Sequence, residues 1–409
     1  MYIADFHIHS KYSRATSKNM NLQELARWAV YKGINLLGTG DITHFLWYHE
    51  LAQNLKETER EGIYRYGGVD FILTGEVCNI YDDKGRNRRI HNIIFSSSME
   101  RTEKLNRVLE RYGDINADGR PILQMGAREL VKIVREVDEK GFVVPAHIWT
   151  PHFSMFGSNS GYNTIVDCFG EYAEDIFALE TGLSSDPAMN WMVSALDRFS
   201  LISNSDAHSP AKTGREANLF NGPFSFPELR QILKKKDRSR FISTVEYFPE
   251  EGKYHFDGHR NCNVCMSPEE TKKNNNLCPV CGRKVTVGVL NRVYELADRP
   301  YGEKPDIFIP FRKLVPLDQI IADVLKKPVD SAAVKNKFIE VLDRLGTEFS
   351  ILLDIPETEM KGRIDDNIVQ GIKTVRQGGV DIEPGYDGEF GKVEIRIGDS
   401  AIKEQQTLF

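Results

Sequence analysis

Over roughly the first 245 residues, short apolar runs alternate with amphipathic stretches. Tyr2–His7 reads as a strand and Ile34–Thr39 as a second, buried one. Between them, Asn21–Lys32 places Leu22, Leu25, Ala26 and Ala29 on one helical face, and Gly33 marks the stop. Val69–Val77 and Arg89–Phe95 read as strands around a basic turn that starts at Lys84. Helices near Thr102–Arg111 and Arg128–Glu139 precede a strand within Gly141–Ile148. Asp175–Glu180 is a further strand, a helix starts at Pro187, and Ser200–Ser205 is the next strand. Strands alternating with helices predict an α/β domain with a largely parallel sheet.

The pattern changes after residue 245. Through 246–300 helical periodicity fades while Gly, Asn, Cys and Pro become frequent. Helical spacing returns at Leu317–Leu325 and Ser331–Leu345, the latter with Val334, Phe338, Val341 and Leu342 on one face. Pro384–Gly388 is a turn cluster and Lys392–Ile397 reads as a last strand. These shifts divide the chain into an α/β part (1–245), a cysteine-bearing module (246–300), a mainly helical region (301–398) and a tail (399–409) expected to be mobile.

Composition narrows the function. The 409 residues include 41% hydrophobic and 27% charged side chains, enough apolar material for a large core, so a disordered chain is excluded. With 53 Lys+Arg against 59 Asp+Glu the net charge is −6, which excludes a globally basic nucleic-acid coat; any such surface is local. No apolar run approaches the ~18 residues of a membrane span. The opening residues lack the basic start and apolar middle of a secretory signal, so no membrane partner and a cytoplasmic location are expected.

The chemistry collects where predicted strands end. His7 and His9 follow the first strand, Asp41 the second, and Glu76 lies at the end of a third. His91 lies within a strand, His147 ends another, and Asp206 and His208 follow Leu201–Asn204. Strand ends on one side of an α/β barrel converge on one cleft. Five imidazoles and three carboxylates meeting there would hold more than one divalent ion, since one ion takes about four protein ligands. Any single histidine at a strand end is ordinarily a polar surface residue; the conjunction is what points to metal. His44, His49, His255 and His259 are read as non-ligands. Cys262-x2-Cys265 and Cys278-x2-Cys281 form two knuckles suited to one tetrahedral structural zinc, whether as a staple or as a nucleic-acid contact. Cys78 and Cys168 read as packed thiols.

Three further segments are noted. Lys234–Arg240 and Lys84–Arg89 are basic clusters, either solvated or placed for phosphate contact. The stretch after His147 carries Trp149, His152, Phe153, Met155, Phe156 and Tyr162, which could pack in the core or stack an extruded base. The chain ends Gln405-Gln406-Thr407-Leu408-Phe409.

Asp5-Phe6-His7-Ile8-His9-Ser10, with Thr39-Gly40-Asp41, Gly75-Glu76-Val77, Ile90-His91-Asn92, Pro145-Ala146-His147 and Ser205-Asp206-Ala207-His208, resembles the polymerase-and-histidinol-phosphatase (PHP) family. The resemblance implies a distorted (β/α)7 barrel with a trinuclear cleft. His7, His9, Glu76 and Asp206 would hold one ion. Glu76 would bridge to a second on His91 and His147, and Asp41 and His208 would hold the third. The implied ions number two or three (Zn, Mn, Fe or Mg), with Asp206, His208 and Asp41 as catalytic residues; the sequence assigns no general acid, and His208 and His152 are the candidates. The chain departs from relatives that carry Thr-Asp-His where Thr39-Gly40-Asp41 stands, and it lacks a histidine in Ser10–Thr16. With the four-cysteine zinc-binding module and the mainly helical C-terminal region, nearly the whole chain resembles the endonuclease Q family. This likeness implies a repair endonuclease that cuts DNA 5′ to deaminated bases (uracil, hypoxanthine, xanthine) or abasic sites. The terminal Gln405, Leu408 and Phe409 resemble a sliding-clamp-binding motif. The alternatives are a histidinol-phosphatase-like phosphomonoesterase and a clamp-bound DNA scaffold with a decayed site.

Overall fold

In the computed structural model of the chain, residues 1–396 are described. The first helix, Leu22–Lys32, forms as its spacing predicts. The Asn21 side chain accepts from the Glu24 amide at 3.1 Å, and Gly33 closes the helix at φ 83°. The buried face is Leu22, Leu25, Ala26 and Ala29. A helix at Phe45–Asn54 has no clear signal in the pattern. Only Trp47 and Leu51, one turn apart, are buried, while exposed Phe45 and Leu46 blur the stripe.

The expected largely parallel sheet is mixed. Tyr2–Asp5 runs parallel to Leu36–Gly38, which runs parallel to Val69–Ile72, but Ala217–Phe220 and Phe241–Glu246 extend the other edge antiparallel. The strict β/α alternation also breaks. Thr74–Asp83 and Arg86–Phe95 form a long antiparallel hairpin with no helix between them. The cause is local: Lys84 and Gly85 both adopt positive φ (50° and 76°), the two-residue turn whose twist matches a hairpin.

The strands of the N-terminal part are hydrogen-bonded into separate sheets. One holds eight strands, one holds four, and Ala178–Glu180 pairs with Ser200–Ile202. Hydrogen bonds bridge the seams: Ser96 N to Leu73 O (3.0 Å), Ile148 N to Glu180 O (3.1 Å), and Ser203 N to Asn218 Oδ1 (3.0 Å).

The later segments pack onto this body. Phe311–Lys313 joins the eight-stranded sheet beside Phe241–Glu246. Helices Leu317–Leu325, Ala332–Leu345 and Asp366–Arg376 follow, with a hairpin of Val380–Glu383 and Lys392–Ile395. Buried Lys32 pairs with buried Glu348 at 2.6 Å, and Trp28 stacks on Phe338, so this region shares the core of the first helix. Among the described residues no helix is long and apolar enough to cross a membrane.

Candidate metal centre

Strand ends and the long hairpin together deliver the expected side chains to one place. His7 and His9 follow Tyr2–Asp5, Glu76 lies in Thr74–Asp83, His91 in Arg86–Phe95, and His147 and Asp206 follow Phe142–Pro145 and Ser200–Ile202. Asp41, His147 and Asp206 adopt positive φ (48°, 30° and 47°), a backbone that L residues other than glycine rarely take. Each stands where the chain turns sharply off a strand, and such strain clusters at functional sites.

Glu76 is the hub. Its Oε2 lies 3.4 Å from His7 Nε2 and 3.3 Å from His9 Nε2, and Asp206 Oδ1 stands 3.0 Å from His9 Nε2 and 3.7 Å from His7 Nε2. Its Oε1 lies 2.7 Å from His91 Nδ1 and 2.9 Å from His147 Nε2. Thus His7, His9, Glu76 and Asp206 form one group able to hold an ion, and Glu76, His91 and His147 form another. Ligands ~2.1 Å from a shared ion stand about 3.0–3.4 Å apart in octahedral or tetrahedral geometry, close to these separations.

Partners behind the imidazoles fix which nitrogen faces the cleft. His7 Nδ1 donates to buried Glu180 (3.0 Å to Oε1), so Nε2 carries the lone pair. That Nε2 is buried without a hydrogen-bond partner among the described residues, an orphan that a cation would satisfy. His9 Nδ1 donates to Asp41 Oδ1 at 3.1 Å. Asn204 Nδ2 and the His147 amide donate to Glu180, each at 2.8 Å.

The charge balance fits ions too. Asp41, Glu76, Glu180 and Asp206 crowd the centre, against the guanidinium of Arg120, whose Nη1 donates to Glu76 Oε2 at 3.2 Å, and that of Arg215, which donates to the backbone at Ser205 O (2.8 Å) and Asp206 O (3.4 Å). Buried carboxylates in such excess need paired cations. Burial works against protonation of His7, yet Glu180 and Glu76 outweigh it and raise the imidazole well above its usual value. His9 behaves alike through Asp206 and Asp41. Burial pushes Glu76 up, but His91, His7 and Arg120 pull it down further, well below the usual carboxylate range. Burial takes His91 down to about 4, leaving a neutral ring with a lone pair to offer. Divalent ions would replace the protons that the acids otherwise hold on His7 and His9.

Asp41 and His208, expected on a third ion, fall outside both groups. Asp41 is fully buried behind His9, and its Oδ2 accepts from Ser10 N (2.6 Å), Ser10 Oγ (2.6 Å) and Ser13 Oγ (2.9 Å). With its oxygens so occupied it orients His9. His208 lies at the rim with its side chain 34% exposed; its Nδ1 donates to Asp206 O at 2.9 Å and its ring lies 4.5 Å from that of His9. Glu180 and Arg120 join the centre without being expected from the sequence. Glu180 ends the apolar strand Ala178–Glu180, a usable signal; Arg120 lies in an irregular loop that offers none.

The cysteine group differs from the expected four thiols. His259, Cys262, Cys278 and Cys281 gather, with ligand atoms within 4.8 Å of one another, while exposed Cys265 points its Sγ toward Pro384 O (3.9 Å). Strand alternation explains the exchange. In Val264–Met266, Val264 and Met266 pack with Cys278 and Val285, so Cys265 between them faces the other side. His259 pairs directly with Val264 across the hairpin and so shares the inner face. Three thiolates and one imidazole suit structural zinc.

In the segment after His147, Trp149, Met155, Phe156 and Tyr162 are buried core, held in part by Arg292, which donates to Phe156 O (3.0 Å) and Tyr162 O (3.1 Å). Phe153 is half-buried over His91, with ring centroids 5.2 Å apart, and His152 is exposed. Of the basic clusters, Arg88 lies over the Tyr162 ring, and Lys236 is spent on Asp197 O (2.8 Å). Gln405, Leu408 and Phe409 lie outside the described residues.

Fold and site together define a mixed α/β protein with a carboxylate-bridged histidine centre. Residues 316–379 match the family model of the MJ0043 C-terminal domain. The uncharacterized protein MJ0043 of Methanocaldococcus jannaschii is 29% identical over 303 residues, covering 70% of this chain but 37% of that relative, so the chain spans little over a third of its length. The uncharacterized protein YqxK of Bacillus subtilis is 29% identical across 96% of this chain and 98% of its own. The crystal structure of the lesion-specific endonuclease PfuEndoQ from Pyrococcus furiosus superposes with a TM-score of 0.86 at 33% identity, covering 96% of this chain and 95% of that one. A second structure, an endonuclease Q complex with a 27-mer duplex substrate bearing an abasic lesion at the active site, gives 0.85 at 32% identity over 99% of both. The chain belongs to the endonuclease Q family.

Proposed function

We propose that the protein is a metal-dependent repair endonuclease that hydrolyses the phosphodiester 5′ to abasic sites and deaminated bases (uracil, hypoxanthine, xanthine), leaving 3′-OH and 5′-phosphate ends. The observation that carries this reading is Glu76, whose two oxygens face two separate imidazole groups. The abasic duplex at the active site of the related endonuclease Q supports the substrate class. In this reading residues 1–245 are the catalytic PHP-type barrel, 246–300 the zinc module, 301–398 the mainly helical region, and the terminal Gln405, Leu408 and Phe409 a sliding-clamp contact.

Ions bound by His7, His9, Glu76 and Asp206, and by Glu76, His91 and His147, would polarise the phosphoryl oxygens and lower the pKa of water. The residues themselves do the rest. Glu180 and Asp41 hold His7 and His9 in the tautomer that faces the cleft. Burial pushes Asp206 up, but His9 and His7 pull it down further, so it is a ligand and a poor proton acceptor. His208 is better placed to move a proton. Its Nδ1–H is committed to Asp206 O, and burial lowers its pKa, which leaves Nε2 free to accept. Water adds to phosphorus, the P–O3′ bond breaks, and the 3′ oxygen leaves as the hydroxyl.

The test is a nicking assay on abasic, uracil- and hypoxanthine-containing duplexes with Mn2+, Mg2+ or Zn2+, beside a phosphomonoester assay. Nicking 5′ to the lesion that is lost in Asp206→Ala is expected. Phosphomonoesterase activity alone, or neither activity, would overturn the reading.

A further inference from the structure

Arg120 is the element of the centre that metal binding leaves without a role. Among the described residues Glu76 is the only acceptor its guanidinium meets, at 3.2 Å from Nη1, although a guanidinium offers five N–H donors. Glu76 is fully buried while the Arg120 side chain is 29% exposed, so this side chain spans from the buried carboxylate to solvent. Asp206, whose side chain is 27% exposed, lies within its electrostatic reach.

The backbone on either side of Arg120 is anchored to the elements that build the centre. Gly119 N donates to Tyr12 O at 3.1 Å, and a Cβ on Gly119 would stand 2.2 Å from Asp41 Oδ2 and 2.3 Å from Ser13 Oγ. Arg120 N donates to Asp118 Oδ1 at 3.1 Å. Pro121 O accepts from Cys78 N at 2.9 Å, two residues beyond Glu76 on the same strand. The arginine is therefore held in register with both Asp41 and Glu76. Neutralising Glu76 does not account for this placement, because Glu76 already faces four imidazoles set to hold cations.

We propose that Arg120 binds the non-bridging oxygens of the scissile phosphate, with N–H groups that Glu76 leaves free. The proposal rests on the nuclease reading above and adds to it the protein group that touches the reacting phosphorus centre. A planar fork suits two phosphate oxygens, and its hold strengthens as negative charge grows on them in the transition state.

The test is a double-mutant cycle on binding. The full-length protein, loaded with Ca2+, is titrated by fluorescence anisotropy with an abasic duplex whose strand a gel shows to be intact. The same titration uses a duplex with a neutral methylphosphonate at the scissile linkage. Arg120→Ala is expected to weaken binding of the native duplex about tenfold or more, and its salt slope should fall by about 0.9. The neutral linkage should weaken the wild type similarly, and the two changes together no more than either alone. Arg120→Lys should restore the slope but not the full affinity, and metal content by mass spectrometry should stay at the wild-type level. Losses that multiply, or metal lost from Arg120→Ala, would overturn the assignment. A wild type that nicks lesions but shows multiplying losses sinks this proposal alone, whereas a wild type that neither binds nor nicks sinks the nuclease reading itself.

Discussion

Glu180 holds the Nδ1 edge of His7, its two oxygens 3.0 and 3.1 Å from that nitrogen. The same carboxylate accepts from the His147 amide and from Asn204, so it ties together residues of both ion-holding groups. Glu180→Gln should keep the shape while weakening control of the tautomer. Affinity for the cleft ions, read by titration calorimetry, should fall roughly 10- to 100-fold. An unchanged affinity would mean that Glu180 serves packing only.

Gly119 presses against Asp41, with no room for a methyl group between them. Gly119→Ala must shift either Asp41 or the loop, and overpacking of this kind costs about 1–3 kcal/mol. Thermal unfolding should register that loss, and bound metal should fall with it because Asp41 orients His9. A variant as stable and as metal-rich as the wild type would show that the loop yields freely.

Beneath the centre, burial pushes Glu246 up to about 8, with Asp186 adding to the effect. In the fold it keeps its proton well above the ordinary carboxylate range, whereas the unfolded chain loses that proton near pH 4.5. Between those values the folded state binds more protons, so stability falls as pH rises from about 4.5 to 8 and levels off beyond. Glu246→Gln removes a proton-linked group and should flatten this decline in Tm. An equally steep decline in the variant would place the linkage elsewhere, the neighbouring Glu216 being the first candidate.

The inward face of the hairpin Asp257–His259/Val264–Met266 decides the zinc set. Cys262→Ser with Cys278→Ser should release one zinc per chain and leave the cleft ions in place, as should His259→Ala. Cys265→Ser should retain the zinc. Zinc lost from Cys265→Ser would return that thiol to the ligand set and remove His259.

Much of this centre is legible before any coordinates. An apolar run that stops at His, Asp or Glu puts a polar side chain at a strand end, and that reasoning finds His7, His9, Glu76, His91, His147 and Asp206, which the fold then gathers. Glu76 and His91 are the exceptions to the strand-end position: they sit inside the two strands of the hairpin, where the alternation of faces turns them toward the cleft. Nor can the pattern tell a ligand from the residue behind it. Asp41 obeys the same grammar, yet Ser10 and Ser13 occupy its oxygen, a contact between segments that no local pattern encodes. Glu180 was readable as a strand-end acid but had no second ligand type beside it. Arg120 reaches the cleft from an irregular loop, where neither a period of 2 nor of 3.6 applies. The hairpin at Lys84-Gly85 was visible as a turn, but only positive φ at both residues shows that no helix intervenes.

The terminal Gln405, Leu408 and Phe409 give a separate prediction. Deleting Gln405–Phe409 should abolish capture by an immobilised sliding clamp while nicking of naked lesion DNA is unchanged. Equal retention by the clamp would mean that the contact lies elsewhere.

Anomalous scattering from crystals grown with Mn2+ or Zn2+ examines the bridging role of Glu76 most directly. Two peaks should flank its carboxylate, one beside His7, His9 and Asp206 and the other beside His91 and His147. A map with no peak between Glu76 and either imidazole group would contradict the account.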